Sequence, residues 1–258
     1  MRITHMSGAG NDFAVIDARG LTLDFSKLAL ELCRRLDCDG FMAVDTSEIA
    51  DFRLHFYNAD GSRGEMCGNG SRCICKFAYD LGIAGEEMTV QTDAGIVYGW
   101  RLGENQYRVK LNNPGTTDLK RKEDVAYIEL GTPGVPHAVK RIEGLKHEDR
   151  EKLRQLGVSL RYDLAFPKGA NVNFYDWLDE STIRILTYER GVEDYPRACG
   201  TGSASVVSVL HLRGELSGNT LAVENPGGTL GVRLEGDGGR VQALYLEGPA
   251  EVIKEFEM

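Results

Sequence analysis

The chain has 258 residues, 42% hydrophobic and 27% charged, the balance of a folded globular protein of one large or two ordinary domains. Its net charge of −9 excludes a sequence-wide basic field for nucleic acid or anionic lipid, and the short cluster Lys120, Arg121 and Lys122 is interleaved with acids. No apolar run approaches the roughly 20 residues of a membrane helix, and the opening MRITHMSGAGNDF lacks the apolar stretch of a secretory leader. Cytoplasmic residence is the resulting expectation, with the six cysteines reduced and serving as core fillers, ligands or catalysts.

In chain order, FAVIDA (13–18) predicts a strand, and residues 26–36, behind Asp24, space their leucines as a helix does. FRLHFYN (52–58) predicts a second strand. Residues 70–81 predict a helix closed by Gly82. MTVQT (88–92) and YRVKLNN (107–113) follow as strands, and NNPGTT (112–117) is turn-rich. A helix over 147–156, ending at Gly157, precedes strands VNFYDWL (172–178) and TIRILTYE (182–189). A helix over 202–212 runs up to Arg213 and Gly214, and TLGVRL (229–234) and QALYLEG (242–248) predict the last strands of this pass. The pattern is a strand-rich α/β (α+β) chain with few helices.

An internal repeat organises these elements. Sliding the chain by 132 positions lays CGNGS (67–71) on CGTGS (199–203), Gly95 on Gly227, Gly99 on Gly231, and Arg101 and Leu102 on Arg233 and Leu234. Phe56 falls on Tyr188, and a separate shift of 161 brings GAGNDF (8–13) near GANVNF (169–174). Matched glycines imply matched turns. Two similar halves are expected, 1–115 carrying the Cys67 loop and 116–248 carrying the Cys199 loop.

Each half then has a strand, Cys-Gly-x-Gly and a helix. Glycines after the cysteine let backbone N–H groups approach a ligand, and the helix adds its unpaired first-turn donors, so the loop can bind a carboxylate. The same helix end is expected to favour a thiolate. Two such loops can present two thiols to one small acid. Racemisation needs that pair: a thiolate removes the α-proton on one face, a thiol delivers one on the other, and backbone donors hold the charge that spreads into the carboxylate. No electron-sink cofactor is then obligatory. Cys33, Cys38, Cys73 and Cys75 read as buried hydrophobes. Cys73 and Cys75 lie about 200° apart on a helix, which argues against a shared metal.

These motifs resemble the diaminopimelate epimerase family over nearly the whole chain: GAGNDF, FYNADGS, EMCGNGSRC, PHAV, NVNF, ERG, ACGTGSAS, PGG and EGPA. The resemblance implies two pseudo-symmetric halves, each a curled, mainly antiparallel sheet around a central helix, with the active site in the cleft between them. It also implies a last strand, 249–258, returning to the first half. It implies Cys67 and Cys199 as the acid–base pair, without cofactor or metal, and His137 and Glu189 beside the thiols, able to poise one as thiolate. By the same resemblance Asn11, Gly68, Asn69, Gly200 and Thr201 hold the reacting amino acid's carboxylate and amine. Asn58, Asn171 and Arg190 grip the distal end, where a planar guanidinium suits a carboxylate. Val135 stands where the family commonly has asparagine, and residues 192–197 (VEDYPR) depart from the family's Ala-Gly-Glu-Thr.

The implied reaction converts L,L-2,6-diaminopimelate to the meso isomer. A racemase for another amino acid, histidine or a proline-like substrate, is the second reading, and Val135 supports it. A non-enzymatic binding protein or a thiol-redox protein is the third; loss of one cysteine or a close Cys-x-x-Cys pair would have favoured it. The expected partners are a small amino-acid substrate and a second copy in a homodimer, with neither nucleic acid nor membrane.

Overall fold

The computed structural model describes residues 1–64, 67–237 and 239–258, in a first unit of Met1–Lys110 with Glu247–Met258 and a second of Leu111–Leu246. The first unit runs β1 (Arg2–Gly8), β2 (Asn11–Asp17), α1 (Phe25–Leu36), β3 (Gly40–Asp45), β4 (Phe52–Asn58), β5 (Arg63–Gly64), α2 (Gly68–Asp80), β6 (Glu87–Thr92), β7 (Gly95–Arg101) and β8 (Gln106–Leu111). The second runs β9 (Pro114–Lys122), β10 (Val125–Gly131), β11 (Gly134–Arg141), α3 (Arg150–Arg161), β12 (Asn171–Asp179), β13 (Thr182–Tyr188), α4 (Gly200–Leu212), β14 (Thr220–Asn225), β15 (Gly228–Asp237) and β16 (Arg240–Pro249). β17 (Glu251–Glu257) then pairs antiparallel with β1, as β9 does with β10.

The two units repeat one topology. β1 pairs antiparallel with β2, β2 parallel with β3, β3 antiparallel with β4, β4 parallel with β6 and β6 antiparallel with β7. β10 to β15 follow the same sequence of directions. The helices bear out the 132-residue offset, since α2 spans 68–80 and α4 spans 200–212. The chain therefore forms two pseudo-symmetric halves of mixed, mainly antiparallel sheet.

Helix composition decides which helix sits inside. α1 buries only Ala29, Leu32 and Cys33, and is closed by Asp24 accepting from Lys27 N (3.1 Å) and by Arg34 and Arg35 in its last turn. By contrast, α2 is buried from Gly68 to Ala78, and α4 from Gly202 to Leu210. A helix buried on every face belongs to a core. α2 packs on β1, β2, β3 and β7, so the sheet curls around it, and α4 meets β10, β11, β12 and β15 in the same way. Each fully buried side chain there, such as Ile74 or Val207, contributes roughly 1.5–3 kcal/mol.

Three expectations need correction. The helix expected over 147–156 is α3, capped by Asp149, and it runs through Gly157 rather than stopping there. Gly157 is a packing residue, because a Cβ on it would stand 2.9 Å from the Tyr188 ring. Within the turn-rich stretch 112–117 only Asn112 and Asn113 lie outside strand, because Pro114 already begins β9. Strands β1, β3, β7, β10, β11 and β14 were not among the runs singled out from the sequence.

Candidate active site

In the first unit, Cys67 is the half-buried N-cap of α2, its backbone extended (φ −129°, ψ 121°) where the strand-side chain turns into helix. Gly68, Asn69 and Gly70 form the first turn, and Ser71 N makes the first helical bond to Cys67 O (2.7 Å). Asn69 Nδ2 donates to Asn11 Oδ1 (2.6 Å), and Asn11 Nδ2 donates to Asp39 Oδ2 (3.2 Å). Asp39 also accepts from Asp12 N (2.8 Å), so Asn11 is tied to the helix end from β2. Asn58 is exposed at the end of β4 and donates to Ser62 Oγ (2.9 Å) in the following turn.

Arg72, one turn into α2, is fully buried. Its Nη1 donates to Gly68 O (3.5 Å) and its Nε to Pro249 O (3.4 Å). Burial lowers its pKa, opposed by the neighbouring thiols Cys73, Cys67 and Cys75. The same position on α4 is Ala204. Arg72 was missed in the sequence, although it lies inside the CGNGSRC motif.

In the second unit, Cys199 is buried and caps α4 with its own sulfur, which accepts from Gly202 N (3.3 Å) and lies 3.6 Å from Thr201 Oγ1. Its backbone N donates to Asn225 Oδ1 (3.4 Å), and Asn225 Nδ2 donates to Ser203 Oγ (3.2 Å). Gly200 and Thr201 complete the first turn. The expected lowering of the thiol pKa does not hold at Cys199. Burial pushes it up first, and the Glu189 carboxylate against the sulfur adds to the rise; the Thr201 hydroxyl and Gly202 N–H oppose both and lose. Glu189 is thus placed beside a thiol as expected, but it favours the protonated form.

His137, on β11, is fully buried. Its Nδ1 lies 3.2 Å from Asn173 Nδ2, and burial drops its pKa to about 3, with Arg190 adding to the fall, so it is neutral at pH 7. Asn171 Oδ1 accepts from Arg190 N (2.8 Å), which brings these two together. The Arg190 side chain is exposed and donates from Nη1 to Lys168 O (3.1 Å). Asn173 and Thr187 were missed in the sequence; a second asparagine in NVNF, facing inward on a strand of apolar neighbours, was the signal. Val135 is 39% exposed.

Among the described residues no three His, Cys, Asp or Glu side chains converge as a metal would require, and Cys73 and Cys75 are buried thiols pushed up to about 12. No helix among those residues is long and apolar enough to cross a membrane.

What this arrangement can do chemically is hold a small anion at a glycine-lined helix end beside a thiol, once in each unit. Residues 3–113 and 131–253 match the family model described as diaminopimelate epimerase. A diaminopimelate epimerase from Caldanaerobacter subterraneus subsp. tengcongensis is 34% identical over 98% of this chain and 97% of its own, and one from Archaeoglobus fulgidus is 35% identical over 98% and 95%. Among solved structures, a Bacillus anthracis phenazine biosynthesis protein of the PhzF family shares the fold with a TM-score of 0.78 at 16% identity, covering 100% of this chain and 98% of that one. A hydroxyproline epimerase from Agrobacterium vitis does so with a TM-score of 0.67 at 16% identity, covering 100% and 90%. With a matching family model over most of its length and relatives above 30% identity along nearly all of it, the chain belongs to the diaminopimelate epimerase family.

Proposed function

We propose that this chain converts L,L-2,6-diaminopimelate into the meso isomer by passing an α-proton between Cys67 and Cys199. The observation that carries this is the repeated cysteine-capped helix, α2 behind Cys67 and α4 behind Cys199, at matched places in two like units. One thiolate takes the proton from the α-carbon. The other thiol gives one to the opposite face, and the first-turn N–H groups of both helices hold the carboxylate as it takes up charge. Glu189 keeps Cys199 protonated at rest and receives its proton in the reverse direction. Asn11 and Asn69, with Gly68, Gly200 and Thr201, hold the reacting end of the substrate. Asn171 and Arg190, with Asn58, hold the distal end, which is recognised but not inverted. The reaction runs in the cytoplasm, in a homodimer, without pyridoxal phosphate or metal.

Incubation with L,L-diaminopimelate in deuterated water tests this reading. Deuterium should enter at one α-carbon as the meso isomer forms, in the presence of chelators and carbonyl reagents. A Cys→Ser variant at one position should still eliminate a β-substituent from a suitable analogue, since that needs a single base. A second reading, a racemase for another amino acid, is favoured by Val135 in place of a polar distal residue. It gains the case if a monocarboxylic amino acid exchanges faster than diaminopimelate and Arg190→Lys leaves that rate unchanged.

A further inference from the structure

His137 has a buried polar surrounding that leaves it little choice of proton position. Asn173 Nδ2 faces His137 Nδ1 (3.2 Å), Ala138 O (3.0 Å) and Asn171 O (3.3 Å). Two of those three partners are carbonyl oxygens, which only accept, so the nitrogen side of the amide must point there. On the other side, Asn173 Oδ1 accepts from Thr187 Oγ1 (2.9 Å), which pins the amide against a flip. The amide NH2 has no lone pair with which to accept, so a proton on Nδ1 would point at a donor; Nδ1 is therefore the bare nitrogen, and a neutral imidazole then carries its proton on Nε2. That Nε2 is buried and makes no hydrogen bond among the described residues. A buried donor without a partner is costly, and a ligand that accepts from it relieves that cost. The neighbourhood is that of the thiol: a Cβ added at Gly202 would overlap Asn173 Oδ1, and would stand 3.0 Å from Thr187 Oγ1 and 3.1 Å from Cys199 Sγ.

We infer that Asn173, backed by Thr187, is a positioning residue that fixes His137 as the neutral Nε2–H tautomer, so that His137 serves the anionic reacting group as a hydrogen-bond donor and not as a base. This assigns separate tasks at the Cys199 end: Glu189 exchanges the thiol's proton, and His137 donates without changing charge. The inference rests on the proposed epimerase reading for the identity of the anion, but the tautomer is a property of the protein alone.

Two-bond 1H–15N correlation spectra of the protein without substrate read the tautomer directly. The five histidines are few enough to assign with His137→Gln as reference. His137 should show a protonated Nε2 and an unprotonated Nδ1, unchanged between about pH 5 and pH 8. A protonated Nδ1, or an imidazolium in that range, overturns the inference. Asn173→Asp places an acceptor opposite Nδ1, and should move the proton to Nδ1 or charge the ring while lowering kcat by about 10²-fold or more. An unmoved tautomer in that variant also overturns it. If Asn173→Asp does not fold, Asn173→Ala replaces it, and a second tautomer should then appear because no amide faces Nδ1; a single unchanged set of signals counts against the assignment. His137→Gln keeps a neutral donor and should retain at least about tenfold more activity than His137→Ala, whereas equal losses would mean a base. Should the tautomer be as stated while diaminopimelate gains no deuterium, the functional reading fails and the positioning of His137 stands.

Discussion

The two cysteine-capped helices begin on different floors. Under the first turn of α2 lie Phe13, Met42 and Phe56: Met42 faces Phe56 across the β3–β4 pair, and Phe13 meets Phe56 edge-on with ring centres 6.3 Å apart. By strand register the same places under α4 are His137, Asn173 and Thr187, so Phe56 answers to Thr187 and not to Tyr188, on which the 132-residue offset lays it. A methyl on Gly70 would meet Met42 Sδ at 3.2 Å and Phe13 Cζ at 3.4 Å, while one on Gly202 would collide with the Asn173 amide. The first unit instead keeps its polar groups above the floor, in Asn11 and Asn69, and carries a buried cation, Arg72, where the second has Ala204. One fold thus supplies the same helix end twice, and substitution beneath it makes the two thiols unlike. An epimerase gains from that difference, since one sulfur must arrive as a base and the other as an acid.

The largest effect tests whether both ends are needed. Cys67→Ala and Cys199→Ala should each lower turnover of diaminopimelate by about 10²–10⁴-fold or more, the range of a lost acid–base group. Steady-state rates near wild type in either variant would remove the two-thiol scheme.

Next in size is the acid response of the polar floor. His137 stays neutral down to about pH 3, whereas an unfolded histidine takes its proton near 6.5. Its folded pKa is depressed, so the unfolded chain binds the extra proton between those values, and stability falls as pH drops through that window. The slope is up to about 1.4 kcal/mol per unit. Urea unfolding at about pH 7 and pH 5 should show a shallower loss for His137→Gln than for wild type. Equal slopes would mean that His137 is not held neutral in the fold.

A paired substitution compares the floors directly. Gly202→Ala should cost about 1–3 kcal/mol, because the Asn173 amide is fixed by four partners and cannot give way. Gly70→Ala should stay within about 1 kcal/mol, since the Met42 thioether can move and alanine favours the helix. Thermal unfolding that ranks the pair the other way contradicts the difference drawn above.

The smallest expected effect concerns Glu189. Its charge helps to hold the Cys199 thiol protonated, so Glu189→Gln should release part of that rise and increase the thiolate fraction near pH 7. Alkylation of Cys199 followed by mass spectrometry should quicken by about 3–10-fold, a shift of up to one pKa unit. Slower alkylation would reverse the sign of the Glu189 interaction.

Much of the site was legible because its signals are local. Cys-Gly-x-Gly followed by a helical run announces a helix end wherever it occurs, and both helices start one residue after their cysteine. Gly157 misled because glycine closes helices more often than it packs inside them, and only the approach of Tyr188 explains it. Strand β3 was overlooked for a related reason. It is buried on both faces from Gly40 to Val44, so it shows no alternation of polar and apolar residues. Asn173 went unnamed beside Asn171, although alternation along β12 puts the two on one face.

By itself, then, the sequence determined the repeat, the two thiols, the helix ends that cap them and the family, because each depends on residues close together in the chain or on an offset visible by sliding it. What lies beneath each thiol was decided by tertiary structure alone. The floors are assembled from three strands whose register brings together Phe13, Met42 and Phe56 in one unit and His137, Asn173 and Thr187 in the other. The tautomer of His137 and the protonation of Cys199 follow from burial and from partners that only this register supplies, since a charge or a proton responds to the atoms around it and not to its neighbours along the chain.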